Sequence, residues 1–193
     1  MFKKIAFFIF FFYANSLMSQ IVINEYSAAN YDSFQDNYGE YEDWLELYNS
    51  SATAIDISGW QLSDKANEPN KWIVPGSLVI PANDVIVIFC SARDEIAASG
   101  DAHTNFKLTQ TTGNEVIMLS DAAGVFQDSI RVIANQTSHS RGRQTNGSLT
   151  WSVFTTASPG ANNVNAQLEY ATTPVFSQTG GYYNGSVNLT ISS

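Results

Sequence analysis

The chain has 193 residues, with 18 acidic against 9 basic side chains, one Cys, two His and a formal charge of −9. That length suits one domain with segments left over and is too short for two full enzyme domains. The acidic balance argues against a nucleic-acid-coating protein, because phosphate binding draws most of its affinity from Lys and Arg. One Cys excludes a disulfide framework or a multi-Cys zinc site, and a hydrophobic share of 44% excludes wholesale disorder.

The N-terminus reads Met1-Phe2-Lys3-Lys4, then an apolar run from Ile5 to Phe12, then a more polar stretch ending in Ser19-Gln20. A basic start, a short apolar region and a small residue before Gln20 make the pattern of a secretory signal peptide. The run falls well short of the ~20 residues that a membrane-spanning helix needs. Residues 1–19 are therefore expected to be cleaved after Ser19, leaving no transmembrane helix and a secreted, extracellular or cell-surface protein. Losing Lys3 and Lys4 leaves 7 basic against 18 acidic side chains, a charge of −11.

Beyond Gln20, short runs of β-branched and aromatic residues alternate with Gly, Asn, Asp, Ser and Pro. Strands are predicted over 21–27, 43–49, 55–57, 60–63, 71–74, 78–80, 85–90, 115–120, 126–132 and 150–154. In 43–49 the alternation puts Leu45 and Leu47 on one face and Trp44, Glu46 and Tyr48 on the other. Cys90 ends an unbroken apolar run and is expected to be a buried small hydrophobe. Residues 93–100 offer a helical turn or two ended by Gly100, and Asp121-Ala122-Ala123-Gly124 reads as a hairpin turn. Many short strands without a long helical period predict an all-β sandwich or barrel. Residues 162–173 look like a linker, and residues 174–193 start a new β pattern too short to bury its own core. The organisation expected is a signal peptide (1–19), a β-sandwich (20–163), a linker (164–173) and an incomplete second β module (174–193).

Motifs in order along the chain carry a family resemblance. They include Ile23-Asn24-Glu25, Asp43-Trp44-Leu45-Glu46-Leu47-Tyr48-Asn49, Ile57-Ser58-Gly59-Trp60-Gln61-Leu62-Ser63-Asp64 and Trp72-Ile73-Val74-Pro75-Gly76. Further on come His103-Thr104-Asn105-Phe106, Gly113-Asn114-Glu115-Val116, Ser140-Arg141-Gly142-Arg143, Trp151 and Ser158-Pro159-Gly160. From Ile21 to about Asn163 the chain resembles a lamin tail domain of the kind found in bacterial secreted proteins. The resemblance implies an immunoglobulin-like β-sandwich. The loop from Asn30 to Asp43 is long for that pattern, and Asn83-Asp84 replaces an expected glycine pair, a change that φ > 0 tolerance in Asn and Asp can absorb. The tail, from Pro174 to Val187, is similar to the opening of the chitobiase/β-hexosaminidase C-terminal module, a small sandwich without catalytic residues. Together the two look like the front of large secreted proteins, some of which end in a CotH-like, kinase-related domain.

Little in the sequence points to chemistry. It contains no nucleophile elbow, P-loop, dinucleotide fingerprint, zincin motif or EF-hand loop. His103 and His139 have loop-like flanks and read as satisfied or solvated rather than catalytic, and no catalytic or cofactor-binding residue is assigned. The densest polar cluster is Asp32, Asp36, Glu40, Glu42 and Asp43, with Glu25 and Glu46 nearby. Hard cations such as Ca²⁺ want several oxygen ligands, so these five form a candidate Ca²⁺ site, against the alternative of solvated charges that keep an exported protein soluble. Arg141 and Arg143 are expected to pair internally with a strand carboxylate. Asp128-Ser129-Ile130 is compatible with bacterial O-glycosylation, and Trp44, Trp60, Trp72 and Trp151 are expected mostly in the core. The function expected is a non-catalytic adhesion, targeting or assembly module of a larger extracellular or cell-surface protein. Its partner would be an extracellular protein, a carbohydrate or an envelope component. The alternative is the N-terminal accessory segment of a secreted hydrolase, nuclease or CotH-like kinase with its catalytic domain beyond residue 193.

Overall fold

The computed structural model describes residues 19–193, so the expected signal peptide, apart from Ser19, lies outside the described residues. The strands are β1 (Ile21–Ser27), β2 (Trp44–Asn49), β3 (Ile55–Asp56), β4 (Gln61–Ser63), β5 (Trp72–Ile73), β6 (Val79–Ile80), β7 (Val85–Phe89) and β8 (Glu95–Ile96). They continue with β9 (Ala102–His103), β10 (Val116–Ser120), β11 (Phe126–Arg131), β12 (Ser140–Arg143), β13 (Trp151–Phe154), β14 (Val175–Phe176) and β15 (Ile191–Ser192). The described residues contain no helix, and none therefore long and apolar enough to cross a membrane.

A seven-stranded sheet in the order β13-β12-β1-β2-β7-β9-β8 faces a four-stranded sheet in the order β11-β10-β4-β5. The ladder β3–β6 flanks them, and β14–β15 forms a separate hairpin. The chain is thus an all-β, immunoglobulin-like sandwich, as its alternating short runs predict. Ile21, Ile23, Leu45, Leu47 and Ile88 of the large sheet meet Leu62, Trp72, Ile117 and Leu119 of the small one in a continuous apolar core. Each such aliphatic side chain contributes about 1.5–3 kcal/mol when fully buried. Cys90 lies in this core, and its surroundings push the thiol well above its ordinary range, first by burial.

β1 carries a bulge between Ile23 and Glu25. Ile21 and Ile23 join the core before it, Tyr26 and Ala28 after it, so one extra residue switches the inward set from odd to even positions. The Tyr26 hydroxyl then accepts the Ile133 N–H at 2.9 Å, tying β1 to the chain leaving β11. Burial pushes the Tyr26 phenol up to about 12. The predicted turn at Asp121–Gly124 closes the β10–β11 hairpin, with Gly124 N–H donating to the Asp121 carbonyl and Gly124 at φ 80°. Asn83 sits at φ 55°, so it takes the left-handed conformation for which a glycine was expected.

Two expectations are corrected. Residues 93–100 form no helical turn: Glu95 and Ile96 pair with His103 and Ala102, and a turn joins the two strands through Ala97 N–H to Asp101 and Gly100 N–H to Ala97. A single turn cannot nucleate alone, and pairing with β9 buries Ile96 against the core instead. The second correction concerns His103, read as a loop residue; it is a fully buried member of β9. Strand β12, Ser-Arg-Gly-Arg, has no strand-forming composition and was not predicted; it exists because β1 and β13 pair with it on either side. The segment read as a linker lies against the sandwich as far as Tyr170. There the Gln167 N–H donates to Val153, Glu169 pairs with Arg141, and the Tyr170 hydroxyl meets His139 Nδ1 at 2.8 Å.

Candidate functional site

Much of the outward face of the large sheet is covered as well. Over β2 and β7, the long loop between β1 and β2 lays Phe34 against Trp44 at 6.2 Å and stacks it on Phe89 at 5.6 Å. His103 extends the stack on Phe89, its Nδ1 meeting Ser91 Oγ at 2.9 Å and its Nε2 meeting Asn37 Oδ1 at 2.8 Å. Burial pushes the His103 pKa down, so the ring is a neutral hydrogen-bonding wedge rather than a proton shuttle.

Over β1 and β12 the cover is polar. Glu25 and Glu46 are register partners on neighbouring strands, both fully buried. Glu46 accepts Asn24 Nδ2 at 2.8 Å and the Gly160 N–H at 2.8 Å; Glu25 accepts Ser140 Oγ, the Ser158 N–H and Ser158 Oγ. These carboxyls clamp the segment after β13 onto the sheet. Burial drives Glu46 up to about 8, with Glu25 adding to the rise, while the donors from Asn24 and Gly160 oppose it. Glu25 is raised too, first by burial. On the inward side of β12, Arg143 donates to Ile23 O at 2.7 Å, to Ser148 O at 2.6 Å and to Asp128 of the facing sheet at 2.8 Å. Arg143 therefore meets the expectation of an internal pair with a strand carboxylate. Arg141 pairs instead with Glu169, outside any strand. Asp128 is held by that pair and by the Ile23 N–H, and Ser129 next to it is exposed.

One end of the sandwich is open, where the loop between β1 and β2 meets residues 107–111. An open cleft of about 300 Å³ lies there, lined by Asn30, Tyr31, Tyr41, Glu42, Asp43, Lys107 and Gln110, among others. Tyr31, Tyr38 and Tyr41 on the same loop are 71%, 50% and 43% exposed, unusual for large aromatic side chains. Asp43 is the half-buried acid of the cleft; burial raises its pKa to about 6, Glu42 adds to the rise, and the Asn30 N–H and Lys107 counter it. A second cleft shares Lys107 and Thr109 and contains Glu115, raised to about 7, first by burial. Partly buried carboxyls with raised pKa values in an open cleft are the usual physical mark of a functional site.

The five carboxylates of the candidate Ca²⁺ site fall in separate places. Asp32 accepts Ser138 Oγ; Asp36 accepts the N–H groups of Tyr38 and Glu40; Glu40 pairs with Arg93 at 2.5 Å and Glu42 with Lys107 at 2.8 Å. Asp43 accepts the Asn30 N–H. Only Glu42 and Asp43 share the cleft, and among the described residues no three His, Cys, Asp or Glu side chains gather as a metal would need. The acidic run lies in the loop that lines this cleft. Its tyrosines, and the approach of Lys107 and Gln110 from 60 or more residues downstream, were the features that reading missed. Aromatic residues spaced through a polar loop were the available signal. Of the four tryptophans, Trp44 and Trp72 are buried, and Trp60 and Trp151 pack partly buried against the core.

No curated protein matches the chain. The sequence pattern of the Lamin Tail Domain matches residues 15–134, more than half of the chain, and spans the strands from β1 through β11. A sandwich of these strands in this order, together with that match, places the chain in the lamin tail domain family.

Proposed function

We propose that the chain is an exported, non-catalytic module that attaches a larger extracellular or cell-surface protein to a partner, in adhesion, targeting or assembly. The observation that carries this reading is a loop end of the sandwich that exposes Tyr31 and Tyr41 around an open cleft. Rigid sandwiches commonly present binding residues on such loops. The N-terminal sequence supports export, and the charge of the remaining chain supports solubility outside the cell. We read the β14–β15 hairpin, with Phe176, Val187, Leu189 and Ile191 exposed, as belonging to a second β module resembling the chitobiase/β-hexosaminidase C-terminal type.

Two measurements test the reading. The intact mass of the exported chain should correspond to a start at Gln20; retention of residues 1–19 overturns export by cleavage. The exported chain should be retained on envelope fractions of the cells that make it, and retention should fall when Tyr31 and Tyr41 are both replaced by Ala. Absence of retention overturns the attachment role.

A further inference from the structure

Resting on the reading of the chain as a binding module, the occupant of its cleft follows from which groups there are already used. Both donors of the Asn30 amide are spent, on Phe34 O at 2.6 Å and Glu42 O at 2.8 Å. The Gln110 amide donates to Asn135 O at 3.2 Å, and Lys107 Nζ is held by both oxygens of Glu42 at 3.1 and 2.8 Å. Most of the nitrogen donors lining the cleft are therefore engaged by the protein itself. Asp43 is different. Its Oδ1 takes the Asn30 N–H at a long 3.3 Å, and among the described residues no donor reaches Oδ2. Beside it stand two exposed phenol rings, Tyr31 and Tyr41, whose hydroxyls have no partner among the described residues.

The cleft thus offers a partly desolvated carboxylate oxygen and two π faces. A ligand that satisfies both brings N–H donors and positive charge, since a cation gains from the ring quadrupole and from a charge-assisted bond to the acid. The volume sits at the small end of the range for ligand clefts, roughly 300–1,000 Å³, which suits one long side chain better than a cofactor. The surrounding loop adds Asp32, Asp36 and Glu40 against Arg93 and Lys107, and the chain as a whole is strongly acidic, so approach of a basic partner is favoured. We propose that this cleft receives a lysine or arginine side chain from a basic segment of a partner polypeptide.

The probe is a fluorescent, end-blocked peptide of alternating Arg and Gly, titrated by anisotropy into the chain exported from its own leader. Asp43→Asn should weaken binding by about tenfold, the scale of a lost charge-assisted bond. Tyr31→Ala should weaken it several-fold while leaving the fold intact, because that ring is largely solvated. Glu68→Gln, the same change of net charge at an exposed ion pair far along the chain, should shift it by less than about twofold. Binding should also decline as pH falls through about 6, where Asp43 takes a proton. The groups facing Asp43 in that titration are Glu42, Lys107, Tyr31 and Tyr41 in the cleft, with Cys90 and Glu115 behind it. Equal losses for Asp43→Asn and Glu68→Gln reduce the effect to bulk charge and overturn the proposal. So does tighter, Asp43-dependent binding of a neutral probe such as maltohexaose or chitohexaose. If the peptide fails but envelope retention persists, this inference falls alone; if retention fails as well, the attachment role falls with it.

Discussion

The inner face of the seven-stranded sheet and its outer face at β1 and the neighbouring Glu46 are both buried, by opposite chemistry. On the inner face Leu45, Leu47 and Ile88 meet the apolar side chains of the second sheet, and water is expelled with nothing left to satisfy. On the outer face, one residue along the same strand, Glu46 is equally inaccessible but survives there only because Asn24 and Gly160 supply donors. The inner face tolerates imprecision at the cost of a cavity. The outer face tolerates none, since an unmet polar group in a dry site costs its whole desolvation penalty. Polar burial also reaches the inward side: Arg143, opposite Trp151, joins Asp128 of the facing sheet, and its guanidinium reaches two carbonyls and one carboxylate on three separate parts of the chain.

Substitutions can break this contrast, beginning with the largest effect. Leu47→Ala should cost about 2–5 kcal/mol in a urea unfolding titration, through lost transfer energy and a residual cavity. Arg143→Met keeps the bulk and removes the donors, so it should cost about 1–3 kcal/mol by stranding Ile23 O and Asp128. A smaller loss for Arg143→Met than for a conservative Leu47→Met would show that these buried polar contacts contribute no specificity of their own. Gly142→Ala should also cost about 1–3 kcal/mol by overpacking, since a Cβ there would meet Asn163 Nδ2 at 2.8 Å and Glu25 Cγ at 3.0 Å.

The finest test is pH. The Glu46 pKa is raised in the folded state to about 8 from an ordinary 4.5, so the folded protein holds this proton more tightly than the unfolded chain. Its contribution is full below about 4.5 and is lost as pH rises through about 8. Glu25, Asp43 and Glu115 push in the same direction; His103, lowered from 6.5, pushes the other way within this range, and Asp56 and Glu169, lowered from 3.8 and 4.5, do so only below it. The melting temperature should therefore fall between about pH 4.5 and 8, and Glu46→Gln should make that fall shallower. An unchanged slope in the variant would mean that another carboxyl carries the effect.

The inner face was legible because period-two alternation and β-branched composition report directly on burial against a facing sheet. All ten predicted runs fall on strands, trimmed by a residue or so at their ends, and Leu45 and Leu47 face the core as the alternation requires. The outer face was not legible, because its cover comes from loops. Nothing in the spacing of Asp43 to Asn49 says that Phe34 will lie over Trp44, or that Gly160, 114 residues later, will donate to Glu46. Strand β12 hid for a related reason: Ser-Arg-Gly-Arg has no strand-forming composition, and β1 and β13 close around it from distant parts of the chain.

The same division separates fold from site. Local residue chemistry determined by itself that the chain is all-β, where most strands run, that Cys90 is interior and that the turn at Asp121–Gly124 closes a hairpin, because each depends on neighbours within a few residues. Only the tertiary structure decided which carboxylates stay alone. Glu42 gained Lys107, Glu40 gained Arg93, Asp128 gained Arg143, and Asp43 was left with one free oxygen between exposed tyrosines. Charge is written in the sequence, but whether a charge is spent depends on partners brought from distant segments, and it is the unspent one that a partner can use.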